Sequence, residues 1–174
     1  MSDLKSFIRH VQDFPKKGIG FKDITTLLKE GPQFSQVIDS TYSHFKNKKI
    51  NLVLGIEARG FILAGAVAYK MGLGMVPVRK PGKLPAKTIK EEYKLEYGTD
   101  ALEMHVDAVK KGTNVLIVDD LLATGGTVKA TCNLIEKAGG IVQGIAFLIE
   151  LDFLNGREKL KGYDILSLIH FESE

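Results

Sequence analysis

Val115-Leu-Ile-Val-Asp-Asp-Leu-Leu-Ala-Thr-Gly-Gly-Thr127 decides the fold. It opens as an apolar, β-branched run, Val115 to Val118, which reads as a strand buried on both faces, as in a parallel sheet. Two carboxylates, Asp119 and Asp120, follow at once, and then a small flexible turn, Ala123-Thr-Gly-Gly126. Thr127 opens a helical pattern in which Val128, Thr131, Leu134, Ile135 and Ala138 share a face. Gly125 and Gly126 let the backbone bend and approach a ligand closely. Successive N–H groups at a helix start bind anions with the help of the helix dipole. Thr124 and Thr127 add hydroxyl donors. A phosphate therefore fits this turn. The two aspartates would repel it, so they need another partner: sugar hydroxyls, a divalent cation or a developing positive charge. The stretch suggests a phosphorylated sugar, with its phosphate on Ala123–Thr127 and its ribose diol on Asp119 and Asp120.

Competing motifs fit less well. Neither the dinucleotide pattern G-x-G-x-x-G nor the P-loop pattern follows this strand. Phospho-acceptor receiver domains also carry an acidic pair at a strand end, but they lack a Thr-Gly-Gly-Thr turn directly after it. A purely structural reading takes Asp-Asp as a turn signal and Gly-Gly as a helix start; the whole composite seldom arises from turn chemistry alone.

Around this centre the chain reads as an ordinary globular protein of 174 residues, 44% hydrophobic and 26% charged, long enough for a core without disulfides or metal. One domain, residues 1–174, is expected. The single Cys132 cannot form an internal disulfide and favours a reducing compartment, the cytoplasm. A net charge of +3 is too mild to argue for nucleic acid. No apolar run reaches membrane-spanning length, and no secretory signal is visible. His10, His44, His105 and His170 show no metal spacing.

Strands are expected at Ile50–Ile56, Met75–Val78, Ile141–Ile149 and Tyr163–Ile169. They alternate with helices from Gly31 and over Phe61–Met71, which argues for an α/β parallel sheet. A short helix is expected near the N-terminus, with Leu4, Phe7, Ile8 and Val11 on its apolar face. The turn Gly55-Ile-Glu-Ala-Arg-Gly60 places Glu57 and Arg59 at the carboxyl edge of the sheet, where open α/β folds bind ligands. Arg59 suits phosphate oxygens; an ion pair with Glu57 is the plain alternative. Arg79, Lys80 and Lys83 crowd a stiff loop, which a polyanion would explain, although a merely solvated basic loop is the alternative. Lys87 to Asp107 alternates with period two around Gly98-Thr-Asp100 and reads as a β-hairpin. A lone hairpin is marginal and suits a flap that orders over substrate.

Val115–Thr127 closely resembles the phosphoribosyl pyrophosphate (PRPP) signature of type I phosphoribosyltransferases. The resemblance extends from about Asp13 to Leu151. It implies a twisted parallel sheet flanked by helices, an N-terminal base-binding hood over residues 1–30, and a flexible loop and hairpin flap over residues 81–107. Phe14-Pro15, Gly18 and Phe21-Lys22-Asp23-Ile24 resemble the base segment of members that act on adenine. By that resemblance Phe21 stacks on the purine, the backbone of Gly20 to Lys22 reads its edge, and Leu151 packs on it. Relatives often carry a larger apolar residue at Gly20, so a thinner pocket wall is expected there. Glu57, Ala58, Arg59, Arg79, Lys80, Lys83 and Tyr97 match pyrophosphate-binding positions. Tyr93-Lys-Leu-Glu-Tyr-Gly98 looks like the flap motif, with Glu96 as its acid/base residue. Asp119 and Asp120 would hold the ribose hydroxyls, with magnesium bound chiefly by substrate oxygens and possible contact from these two acids. The catalytic set implied is Arg59, Glu96, Asp119 and Asp120, in a protein that is typically a homodimer. Two other readings stay open: a relative acting on hypoxanthine, guanine or xanthine, and a regulator that binds PRPP without catalysis.

Overall fold

The computed structural model describes residues 3–94 and 98–173. In chain order it forms β1 (Arg9–Val11), β2 (Phe21–Asp23), α1 (Thr25–Leu28), α2 (Gly31–Phe45), β3 (Leu52–Ile56), α3 (Gly60–Met71) and β4 (Gly74–Val78). The hairpin strands β5 (Thr88–Lys94) and β6 (Thr99–His105) follow, then β7 (Asn114–Leu122), α4 (Gly126–Lys137), β8 (Ile141–Leu151) and β9 (Ile165–Phe171). Short 3-10 turns cover Leu4–Phe7, Asp152–Leu154 and Gly156–Leu160.

β7 is the middle strand of a five-stranded parallel sheet ordered β4-β3-β7-β8-β9. Its alternate residues feed two apolar clusters. Leu116 and Val118 pack with residues of α2 and α3, while Val115 and Ile117 pack with α4 and the hairpin. That is why the run from Val115 to Val118 shows no polar alternation. The strand also runs further than its apolar part: Asp119 and Asp120 lie inside β7, paired with β8 as far as Leu122. A parallel ladder holds backbone groups whatever the side chains are, so two carboxylates do not end it.

The register of β7 with β8 shifts between Val115 and Leu116, which face Val142 and Gly144. A Cβ at Gly144 would lie 2.2 Å from Phe45 Cε1, so glycine lets the fully buried Phe45 seat its ring on the sheet.

Two expectations are corrected. The N-terminal helix stops at Phe7, and Arg9–Val11 instead pairs antiparallel with Phe21–Asp23. The Arg9 guanidinium bonds Asp23 Oδ2 (Nε 2.9 Å, Nη2 2.5 Å), and this cross-strand pair outweighs the helical period of a short segment. The second correction concerns the hairpin, which is not free-standing. Leu102 and Met104 are buried, and Ile89 and Tyr93 pack with them against the α4 cluster. Glu91 receives a bond from Asn133 at 2.8 Å and pairs with Lys137 of α4.

Candidate active site

In a parallel sheet all carboxyl ends lie along one edge. Here that edge gathers Ile56-Glu57, Val78-Arg79, the end of β7 with its turn, Leu151 and Phe171. The N-terminal segment reaches the same edge: Lys22 Nζ lies 4.6 Å from the Phe171 ring centroid, and the Lys22 carbonyl accepts from Arg59 Nη1 at 3.3 Å.

The turn after β7 is built as the sequence suggests. Gly125 adopts φ +76°, the left-handed region, and caps α4, which begins at Gly126. A small cavity of about 70 Å³ is lined by Asp119, Leu121, Leu122, Ala123, Thr124, Gly125, Thr127 and Val128. Its floor is the start of a twelve-residue helix, a position suited to an anion. Thr127 Oγ1 lies 3.5 Å from the Tyr93 hydroxyl, so the turn meets the hairpin near its tip, where Tyr93 pairs with Asp100.

The aspartate pair is buried, with Asp119 at 8% and Asp120 at 6% exposure. Asp119 Oδ1 accepts the Asp120 N–H at 2.9 Å. Burial, and then the neighbouring Asp120 charge, push the Asp119 carboxyl well above the ordinary value of 3.8. Burial also raises Asp120, against the pull of Arg59. Arg59 Nη2 stands 2.7 Å from Asp120 Oδ2, an atom that is buried and accepts no hydrogen bond. The contact is one of charge, and a lone pair is left for a further partner.

Arg59 does more than that. Its guanidinium carbon lies 4.7 Å from the Phe21 ring centroid, stacked as a cation on an aromatic face. Phe14 meets the same ring edge-on, with centroids 5.1 Å apart. One side chain therefore joins the acidic pair, the Lys22 backbone and the Phe21 ring. The expected alternative, an Arg59–Glu57 ion pair, is not what forms. Glu57 instead takes the Lys80 N–H at 2.8 Å and Arg79 Nε at 3.2 Å. Burial opposes ionisation of Glu57, but these two donors outweigh it and hold its carboxyl below the ordinary value. The Glu57–Ala58 peptide is cis.

The basic loop is braced on the hairpin. Arg79 pairs with Glu103 through both backbone groups at 3.0 and 2.7 Å, and Lys80 Nζ bonds Asp100 at 2.9 Å. Arg79 Nη1 donates to the Lys83 carbonyl at 3.1 Å. The Arg79 and Lys80 charges are thus held along one edge by Glu57 and Asp100. Lys83 joins the other two through that carbonyl, its own side chain exposed, and Leu151 ends β8 half-buried. Glu96 and Tyr97 lie outside the described residues.

Gly20 leaves no thin wall. A Cβ there would lie 2.8 Å from His10 Nε2, so the imidazole fills the space. Lys22 Nζ lies 3.2 Å from His10 Nδ1; an ammonium only donates, so Nδ1 accepts. Nothing in the spacing of the sequence joins His10 to Gly20; the β1–β2 pairing does, by setting His10 opposite Lys22. Tertiary structure likewise brings His170 Nδ1 within 2.9 Å of Asp152 Oδ1 and 4.0 Å of Glu150 Oε2. These three make the one metal-like cluster among the described residues. Arg157 already neutralises Glu150, with bonds of 2.7 and 2.9 Å.

Comparison with known proteins matches this arrangement. Residues 23–169 fit the model of the phosphoribosyl transferase domain. The chain belongs to the phosphoribosyltransferase family. Its similarity to individual members is high over nearly the whole length. It is 59% identical to the adenine phosphoribosyltransferase of Solibacter usitatus, with 99% of each chain covered, and 57% identical to that of Koribacter versatilis, with 97% of this chain and 93% of the relative covered. The crystal structure of adenine phosphoribosyltransferase from Thermoanaerobacter pseudethanolicus superposes with a TM-score of 0.94 at 56% identity, covering 97% of this chain and 98% of that one. The Giardia lamblia enzyme complexed with 9-deazaadenine gives 0.92 at 39% identity, with 99% of each covered.

Proposed function

We infer that the chain transfers the phosphoribosyl group of PRPP to N9 of adenine, giving AMP and pyrophosphate and so returning a free base to the nucleotide pool. The observation that carries this reading is Arg59, which touches Asp120 on one side and stacks on Phe21 on the other. A sugar subsite and a base subsite meet at that guanidinium. Full-length similarity to named adenine phosphoribosyltransferases supports the choice of base.

The turn Ala123–Thr127 holds the 5′-phosphate through its N–H groups and the Thr124 and Thr127 hydroxyls. Asp119 and Asp120 take the ribose hydroxyls. Their charge favours the oxocarbenium-like ring as pyrophosphate leaves and N9 enters from the opposite face, with inversion. Arg59, Arg79, Lys80 and Lys83, with Glu57, Ala58 and Tyr97, hold the pyrophosphate. Phe21 stacks on adenine, the backbone of Gly20 to Lys22 reads its edge, and Leu151 packs against it. Glu96 manages the proton at N7. Two hard carboxylates, one with a buried oxygen that accepts no hydrogen bond, fit magnesium. Asp119 and Asp120 would hold it together with substrate oxygens, and the ion when bound offsets charge on the leaving pyrophosphate. One domain carries all these parts, with residues 1–30 as hood and the loop and hairpin of residues 81–107, braced on α4, beside the site, in a cytoplasmic enzyme. No helix among the described residues is long and apolar enough to cross a membrane. A homodimer is supported by the outer face of α3, where Ile62 is 49% and Tyr69 90% exposed two turns apart on one stripe.

The test is AMP formation from PRPP and each of adenine, hypoxanthine, guanine and xanthine, with and without magnesium. Magnesium-dependent turnover with adenine alone is expected. Turnover with an oxopurine instead overturns the base assignment, and PRPP binding without turnover moves the chain to a regulatory class. Glu96→Gln should lower kcat more than it weakens PRPP binding; unchanged kcat removes Glu96 from the mechanism.

A further inference from the structure

The turn after β7 does not hold its shape alone. Gly156 is buried, and a Cβ on it would lie 2.2 Å from the Ala123 carbonyl oxygen, 3.1 Å from the Ala123 carbonyl carbon and 2.9 Å from Leu122 Cδ1. The contact is reciprocal. A Cβ on Gly125 would lie 2.4 Å from the Gly156 carbonyl oxygen and 3.2 Å from its carbon. Two backbones therefore touch with no side chain between them, and neither can yield as the end of a flexible side chain would. The φ of Gly156 is not in the left-handed region, so space and not conformation requires glycine there; at Gly125, with φ +76°, both do.

The segment carrying Gly156 is itself fixed. Arg157 Nε donates to both oxygens of Glu150 at 2.7 and 2.9 Å, and its Nη2 lies 3.3 Å from Ser167 Oγ. Leu160, at the end of the same turn, is fully buried beneath α4. An unbroken path runs from the end of β8, through Arg157, to the backbone of Ala123 and Gly125.

We propose that Gly156 is a positioning residue for the 5′-phosphate: its backbone is the seat on which Ala123–Gly125 rests, and Arg157 locks that seat to β8. This rests on the reading of Ala123–Thr127 as the phosphate turn. A methyl group at residue 156 must push the turn away from its position, which should weaken every ligand held by its 5′-phosphate and leave the base subsite alone.

The experiment measures AMP affinity by calorimetry, and kcat and the KM of each substrate, for Gly156→Ala, Arg157→Ala, the exposed control Lys159→Ala, and Thr127→Ala. Gly156→Ala should weaken AMP and raise the PRPP KM by about tenfold, the cost of overpacking by one methyl. Its adenine KM and its kcat at saturating PRPP should stay at the wild-type values. Arg157→Ala should shift the same two quantities by a smaller factor without adding a clash, and Lys159→Ala should shift neither. Wild-type AMP affinity in Gly156→Ala overturns the proposal, as does an equal loss for adenine and PRPP. If Gly156→Ala does not fold, Arg157→Ala decides: unchanged AMP affinity in that variant overturns it. Thr127→Ala separates the two claims. If it weakens AMP while Gly156→Ala does not, only the seat is wrong; if it leaves AMP unchanged, the phosphate turn itself is misassigned and the seat falls with it.

Discussion

Replacing Asp119 by asparagine should make the protein more stable and less active. Asp119 is 8% exposed, accepts one hydrogen bond, from the Asp120 N–H, and sits beside a second carboxylate whose cation, Arg59, stands against Asp120. Folding therefore places a charge where burial and then the Asp120 charge oppose it. Asparagine keeps the shape and the Oδ1 acceptor and removes the charge. Relief of such functional strain stabilises by about 1–2 kcal/mol. For a chain of this length that raises Tm by about 2–8 °C. The sign of the pH dependence follows from a folded pKa raised above the unfolded one. The native state binds the proton more tightly, so stability falls as pH rises from the ordinary carboxylate value of 3.8 through the folded value. The Tm gain of Asp119→Asn should thus vanish near pH 4 and grow as pH rises towards about 8. Differential scanning fluorimetry across that range measures it. Turnover should drop by about two orders of magnitude, the size of a lost electrostatic contact to the transition state. A lower Tm at pH 8, or a gain that does not change with pH, would refute the burial argument. Wild-type turnover would refute the role of the charge.

Three further outcomes are expected. Asp23, whose carboxyl is held down to about 2 chiefly by the Thr25 N–H and then by Arg9, contributes stability that is present above 3.8 and is lost as pH falls towards 2. Asp23→Ala should cost roughly 1–2 kcal/mol with solvent screening allowed for, and should raise the adenine KM; acid denaturation of both proteins checks the window. Glu57→Ala removes the acceptor of the Lys80 N–H and of Arg79, and should raise the PRPP KM by about tenfold while the adenine KM stays put, as steady-state kinetics will read. Cys132 is buried, and burial pushes its thiol up to about 12, so thiol reagents should react only at the rate of unfolding; fast labelling of the native protein would contradict its packing.

By itself the sequence determined the central strand, the turn and the helix after it, because those depend on local rules. An unbroken apolar run asks to be buried on both faces, paired glycines release the backbone, and a 3.6-residue period marks the helix. It also set the turns after β3 and β7 at one edge, since a strand followed by a charged turn and a helix places its turn at the carboxyl end. Partners were the part that only the tertiary structure decided. Arg59 has the same chemistry beside Glu57 as beside Asp120, and sheet order, with β3 next to β7, chose Asp120. Arg9–Val11 carries a helical period, yet pairing with Phe21–Asp23 made it a strand and set His10 against Gly20. The hairpin reads as a free flap until α4 receives Glu91 and the core receives Leu102 and Met104. The close approach of Gly156 to Ala123 spans more than thirty residues of chain, and no local period records it. Propensity and pattern act over a few residues; ion pairs, filled notches and backbone contacts are fixed only when distant segments meet.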